Sequence, residues 1–361
     1  MRLLFSAFLV LLWQLSATAQ PLRVAVAGVA HGHVGWILGR PDKGDIQLAG
    51  VFDKDTALVN GFSRHYGFPA KIVYNNLEQM LDEVKPEAVL AFGSVYSHME
   101  VVAACAPRGI HVMVEKPLAT NLADALRMEA LARKHHIHLL TNYETSWYPT
   151  VAKTFQLVQD SSYVGQVRKV VIHDGHQGPK EIGCSPAFLA WLTDPVLNGG
   201  GALMDFGCYG ANLMTSMMKN RLPVAVTAVT RHYKPSIYPK VEDDATIIVD
   251  YPDTQCIIQA SWNWPFSRKD MEVYGDKGYL MAADKNTLVL RNKESLPATT
   301  RRITATDIPV YEDPFLYLSD VIRGKITVPD NSFYALPNNV IVVRILEAAK
   351  ESARTGKTVR L

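Results

Sequence analysis

The stretch VMVEKPLATN, residues 112–121, carries three signals in succession. An apolar run, Val112-Met113-Val114, stops abruptly at Glu115-Lys116-Pro117. A helical pattern then resumes behind Thr120 and Asn121, with Leu122, Ala125, Leu126, Ala130 and Leu131 on one face. Proline has no N–H and fixes φ, so it ends a strand and holds the residues before it extended. A short buried strand, a hard stop and an amphipathic helix make one unit of a parallel sheet.

The same unit recurs on both sides of this stretch. Strands are expected at 23–27, 46–52, 88–92, 111–114 and 138–140 with helical patterns between them, which predicts an α/β domain over 21–141 whose parallel sheet is covered on both faces. Beyond Thr141 the rhythm changes. Near-alternating segments at 166–173, 224–233, 245–251, 256–262, 271–274, 279–282 and 288–291 predict a large, open-faced, mostly antiparallel sheet. A last helix over 338–352 completes an α+β domain spanning 142–361.

The 361 residues are 48% hydrophobic and 20% charged, enough apolar mass for two cores. A net charge of +2, with no basic block or interleaved aromatic stripe, argues against a nucleic-acid partner. The opening MRLLFSAFLVLLWQLSATAQ differs in kind: Arg2, apolar runs at 3–5 and 7–13, then Ala17-Thr18-Ala19. It reads as a secretory signal over 1–19, cut after Ala19. The apolar run is shorter than the roughly 20 residues that span a bilayer, so no stable membrane span is expected after cleavage. No twin Arg or nearby Cys marks another route, which points to general secretion in a bacterium and a periplasmic or extracellular site. Cys105, Cys184, Cys208 and Cys256 lack ligand spacing and are read as buried free thiols.

The first strand runs into AGVAHGHVGW, residues 27–36, which makes Gly28, Ala30, His31, Gly32 and His33 candidates for cofactor contact. Small residues let backbone approach a pyrophosphate, and the helix amino terminus offers it free N–H groups. The usual GxGxxG is not met cleanly, so the turn alone is a weak signal. Asp53 ends the second strand 25 residues after Gly28, where a carboxylate accepts ribose hydroxyls and repels a 2′-phosphate. NAD is favoured, with NADP left open by Lys54 next door.

Residues 111–121, GSVYSHMEVVAACAPRGIHV (93–112), NGGGALMDFGCYGANL (198–213) and MEVYGDKGYL (271–280) together resemble the glucose/fructose oxidoreductase, inositol dehydrogenase and rhizopine-catabolism (Gfo/Idh/MocA) family, in order and over nearly the whole mature chain. The resemblance implies a Rossmann domain that binds NAD(P), an open-faced sheet domain, and a sugar-like substrate between them. It places Glu115 and Lys116 by the nicotinamide ribose, with Lys116 reaching the reacting hydroxyl and Tyr209 where many members carry His. Tyr at that place resembles the branch containing glucose/fructose oxidoreductase and dimeric dihydrodiol dehydrogenase. A close ammonium favours a phenolate, so Lys116 is expected to lower the Tyr209 pKa and make it the acid/base, with Asp205 one turn earlier orienting the pair.

The resemblance also implies cofactor contacts at Ser94 and His98, although the usual Thr-Pro-Asn before the histidine is here Gly93-Ser94-Val95. Asn142, Trp147, Tyr148 and His173 are candidates to line the substrate. Ser146 stands where the branch carries Arg, which puts the substrate class in doubt, and Asn212 stands where many members carry an acid. His173, Asp174 and His176 form only a loose cluster, so no metal site is expected. A homo-oligomer is implied by analogy.

Export sits awkwardly with a soluble nicotinamide nucleotide. Three functions follow: an oxidoreductase on a sugar carbinol with tightly held cofactor, a glycoside-cleaving enzyme that oxidises transiently, eliminates and reduces back, or a non-catalytic sugar-binding or sensor protein.

Overall fold

The computed structural model describes residues 20–159 and 163–361, so the expected signal at 1–19 lies outside the described residues. The first sheet contains β1 (Leu22–Ala27), β2 (Ile46–Phe52), β3 (Val73–Tyr74), β4 (Ala88–Ala91), β5 (His111–Glu115) and β6 (Leu139–Asn142). They lie parallel in the order β3-β2-β1-β4-β5-β6. That order reverses between β1 and β4, and doubly wound sheets take ligands in the crevice beyond the strand ends at such a point.

Strand alternation divides the core of this sheet. Val24 and Val26 of β1 pack with Leu90 and Phe315 on one face, while Ala25 and Ala27 pack with Val89, Val114 and Met128 on the other. Covering both faces demands continuous apolar strands, which is why the run before Glu115 carries no polar residue.

The second sheet has nine strands: β7 (Val167–Gly175), β8 (Ala225–Arg231), β9 (Asp244–Asp250), β10 (Gln255–Ser261), β11 (Arg268–Gly275), β12 (Tyr279–Ala282), β13 (Thr287–Arg291), β14 (Thr299–Arg302) and β15 (Val359–Arg360). Their order is β14-β13-β12-β11-β7-β10-β9-β8-β15, antiparallel throughout except for β7 beside β10. The sequence pattern missed β3, β14 and β15 because two to four residues carry too few alternations to register. One face is covered by the helices Gly207–Met217 and Leu336–Thr355. The other carries half-buried Val171, Ile248, Ile257, Met281 and Val289.

Two helices tie the halves together. Phe315, Leu318 and Val321 of Pro314–Ile322 enter the core of the first sheet, and Leu336–Thr355 gives Val343 to that core and Leu346 to the other. None of the described helices is long and apolar enough to cross a membrane. All four cysteines are free; Cys105, Cys208 and Cys256 are buried, but Cys184 is only half-buried, because its loop borders the cavity described below.

Candidate active site

The turn after β1 is built for close backbone approach. Gly28 has φ +83°, and a Cβ on it would lie 2.6 Å from the Gly93 nitrogen, so glycine is what lets the loops after β1 and β4 meet. Val29 N–H donates to Asp53 Oδ2 at 2.8 Å and Asp55 N–H to Asp53 Oδ1 at 2.9 Å. An ionised carboxylate offers about four acceptor positions, so two remain for ribose hydroxyls. The N–H groups of Ala30 and Gly32 have no partner among the described residues, and a Cβ on Gly32 would meet nothing within 4 Å. Free donors over open space, opposite an acidic strand end, fit a dinucleotide.

Ser94 turns its carbonyl to Ser97 instead of lining the cavity. His98 is fully buried behind the turn at residues 117–118, its Nδ1 3.1 Å from the Leu118 oxygen, and burial pulls its pKa down to about 4. It braces the turn in its neutral form, and it too is absent from the cavity wall.

Glu115 is held by several neighbours. His33 Nδ1 stands 3.1 Å from its Oε2, and Asn142 Nδ2 donates to its Oε1 at 2.7 Å. Burial pushes this carboxyl up, but the facing His33 ring and these hydrogen bonds outweigh it and hold the pKa at about 2. Burial drives His31 the other way, well below the usual histidine value, so it is a neutral imidazole that accepts from the His33 N–H through Nδ1. One ligand-type atom from each of His31, His33 and Glu115 lies within 4.8 Å of the others. The His33 ring bonds Glu115 and the His33 backbone N–H bonds His31.

Lys116 follows, joined to Pro117 by a cis peptide bond. Its Nζ donates to Asp205 Oδ1 at 2.5 Å and to the Asp205 carbonyl at 2.9 Å. The second Asp205 oxygen accepts from Trp262 Nε1 at 2.9 Å. Asp205 ends the short helix Ala202–Asp205, whose first N–H groups are capped by Glu242 Oε1. Tyr209 lies one turn on, in Gly207–Met217. Gly210 lets that helix sit down on β10, since a Cβ there would come within 2.6 Å of Ile258. Lys116 Nζ is 5.1 Å from the centre of the Tyr209 ring.

The expected phenolate is not what this geometry favours. Burial pushes Tyr209 well above its usual value and Glu144 pushes it further, while the Lys116 charge is already matched by Asp205. Burial would lower Lys116, but Asp205 outweighs burial and keeps it a strong ammonium. The site as described holds an ammonium and a phenol, both able to give a proton.

A second ammonium was missed from sequence. Lys269 Nζ lies 5.1 Å from the Tyr209 ring centre and forms an ion pair with Glu144. It opens β11 on the covered face, in phase with buried Met271 and Val273 and opposite Asp174, which is in phase with Val170 and Ile172. A charge in step with buried apolar positions was the available signal. Both Asp174 oxygens are buried without a partner, and burial drives its pKa far up, so it is a neutral acid.

Lys116, Asp205, Tyr209 and Lys269 share a cavity of about 360 Å³ with Ala30, His31, Gly32 and His33. Ile182, Phe188, Leu192 and Phe206 give it apolar lining. His176 also lines it; Nδ1 accepts the Gly178 N–H, so the neutral ring presents Nε2–H as a donor.

The four substrate candidates lie elsewhere. Asn142 orients Glu115, and Trp147 donates to Asn142 and stacks on Tyr334 at 4.6 Å, because both sit in the packed junction between domains. Tyr148 donates to Glu144 at 2.6 Å and faces a second cavity, of about 520 Å³. His173 turns to the uncovered face, since residues two apart share a side of a strand and its neighbour Asp174 points inward; there it meets Asp270 at 2.8 Å beside Arg268.

A cleft of this build belongs to an oxidoreductase that works with a nicotinamide nucleotide. The comparisons place the chain more closely. Residues 22–143 match the oxidoreductase family with NAD-binding Rossmann fold, and residues 153–281 match the GFO/IDH/MocA C-terminal domain. The chain belongs to the Gfo/Idh/MocA oxidoreductase family. Among its relatives is trans-1,2-dihydrobenzene-1,2-diol dehydrogenase of Xenopus laevis, 24% identical over 71% of this chain and 75% of the relative. Similar solved structures include aldose-aldose oxidoreductase from Caulobacter crescentus complexed with glycerol (TM-score 0.76, 23% identity, 94% of this chain and 100% of that one). An inositol dehydrogenase homolog from Azotobacter vinelandii complexed with NAD+ superposes with a TM-score of 0.80 at 19% identity, covering 95% and 98% of the two chains.

Proposed function

We propose that this chain is an exported bacterial oxidoreductase that moves a hydride to or from a secondary carbinol of a sugar or polyol, using NAD that it does not release. The observation that carries this reading is the Lys116–Asp205 pair facing Tyr209 across one cavity with the glycine turn. Bound NAD would supply the hydride acceptor or donor. The residues of the chain do the rest. Lys116 and the His176 Nε2–H hold the substrate oxygen, Asp205 keeps the Lys116 ammonium aimed, and Tyr209 gives or takes the carbinol proton. With Lys116 charged and Tyr209 neutral, the described form is set to protonate an oxyanion, the step that accompanies carbonyl reduction. Oxidation begins from the form with one proton fewer.

The diol, aldose and inositol names among the relatives support a polyol substrate. The signal-like segment at 1–19 supports export. Outside the cytoplasm an enzyme that released its reduced nucleotide would stall, and a held cofactor in a redox-neutral cycle avoids this. The uncovered face of the second sheet, where half-buried Val171, Ile248, Ile257, Met281 and Val289 stand among polar residues such as Gln255, Gln259 and Glu272, supports a homo-oligomer.

The second cavity favours a variant of this chemistry. Oxidation of a glycoside carbinol to a ketone acidifies the neighbouring C–H. Loss of that proton with the leaving alcohol gives an enone, water adds to it, and the returned hydride restores the carbinol. A non-catalytic binding role is weaker, because binding alone gives no reason to bury Lys116 against Asp205 beside Tyr209.

The test is to purify the chain from residue 21 onward from its native compartment, denature it, and identify released nucleotide by mass spectrometry. About one NAD or NADH per chain is expected. The intact protein should then change its reduced-nicotinamide absorbance when sugars are added. A protein that comes out empty and binds neither NAD nor NADP would overturn the reading.

A further inference from the structure

We infer that the second cavity is a carbohydrate subsite, which holds a further sugar unit attached to the ring whose carbinol reacts. This rests on the reading that the first cavity acts on a sugar.

Two contacting pairs of side chains stand between the two cavities. His33 stacks on Trp36 with ring centres 3.8 Å apart and planes 13° off parallel, and Lys269 pairs with Glu144. In each pair the first residue lines the catalytic cavity and the second lines its neighbour. A group bonded to a ring beside Lys116 and Tyr209 would enter the second cavity past these two pairs.

The chemistry of the second wall suits a pyranose. Such a ring presents a face of C–H groups and a rim of hydroxyls, and it is held by a flat aromatic surface together with charged hydrogen-bonding groups. Trp36 is 37% exposed, and Tyr148 stands in the same cavity. Arg40, Lys43, Lys285 and Glu312 supply the charges. Arg40 is committed to Asp45 and Asp313. Lys285 and Glu312 are exposed, and neither has an ion-pair or side-chain hydrogen-bond partner among the described residues. An unspent ammonium and an unspent carboxylate beside an open indole face have donors and acceptors left for sugar hydroxyls.

The turn residues Ala30, His31, Gly32 and His33, which line the first cavity, are all absent from the lining of the second. Its volume of about 520 Å³ falls in the range of built ligand sites, roughly 300–1,000 Å³.

The test titrates the NAD-loaded full chain, by calorimetry and tryptophan fluorescence, with methyl glucoside, galactoside and mannoside and with cellobiose, maltose, lactose and mannobiose. At least one disaccharide should bind about tenfold tighter than the methyl hexoside of its reacting ring, the worth of one good contact set. Lys285→Ala and Trp36→Ala should each erase most of that gain, and Lys285→Ala should leave turnover of the methyl hexoside unchanged. A gain that survives both substitutions, or no gain for any disaccharide while methyl hexosides are still turned over, overturns the subsite and spares the parent reading. Absence of binding and turnover with sugars of either length overturns both.

Discussion

The Lys116 ammonium and the Asp205 carboxylate meet at 2.5 Å, and each residue is about 95% shielded from solvent, at 6% and 5% exposure. They come from opposite domains, so the pair exists only when the Rossmann sheet and the second sheet are docked. A buried charge that loses its partner is strongly destabilising. Asp205→Asn should cost about 3–5 kcal/mol of stability in urea unfolding. It should also move the alkaline limb of the pH–rate profile toward acid, since Lys116 would no longer be held up by its counter-charge. An unchanged profile would remove Asp205 from the role given to it.

Tyr209→Phe removes one hydroxyl at the cavity wall and nothing from the nucleotide turn. Hydride transfer should fall by about 10²–10⁴-fold, the usual worth of a positioned acid/base. NAD content after purification should match the wild-type protein. Full turnover in this variant would end the assignment.

Both Lys116 and Tyr209 are held above their ordinary values, so the proton-giving form persists through neutral pH. Carbonyl reduction should therefore be flat across neutral pH and decline only in alkali. Alcohol oxidation, which starts from the form with one proton fewer, should rise with pH over the same span. Measuring both directions on one substrate checks the sign, and an oxidation rate that falls as pH rises would contradict it.

Asp174 gives a stability test that is independent of turnover. Its folded pKa is raised by burial, so the folded state holds a proton that the unfolded chain releases above about pH 3.9. Stability should drop as pH climbs above that value. Asp174→Asn is already neutral and lacks this loss, so its urea midpoint should match wild type near about pH 4 and exceed it near about pH 8.

Lys269→Met would free Glu144 and strip one ammonium from the Tyr209 ring. Lys269 lines the cavity beside Tyr209, and a hydrogen bond from its Nζ to a substrate hydroxyl would be worth about 1.5–3 kcal/mol, so kcat/KM should fall roughly ten- to a hundredfold. Lys269→Arg should recover part of the loss, and NAD affinity should not move. Equal activity in the methionine variant would reduce Lys269 to packing.

Much of this molecule was readable in one dimension. The parallel sheet followed from apolar runs punctuated by Gly28, Asp53 and Pro117, since a strand covered on both faces admits few polar residues. The open-faced sheet followed from alternation in segments such as Met271 to Tyr274. Lys116, Asp205 and Tyr209 were legible as motif residues, although 89 positions separate the first two.

What the tertiary structure decided was which charges meet. From sequence, Lys116 was expected to act on Tyr209; docking of the domains instead matched its charge with Asp205 and left burial and Glu144 to set the phenol. Asn142, Trp147 and Tyr148 were chosen as residues near a domain junction and His173 as a polar residue at a strand end, yet local pattern does not tell that Trp147 packs in that junction, Tyr148 faces the second cavity and His173 turns to the uncovered face. Lys269 reached the site because its strand, paired with β7, carries it to the covered end of the sheet. Periodicity along a chain sets the face of each side chain, while protonation depends on burial and on partners brought from distant segments, and those are fixed only when the domains pack.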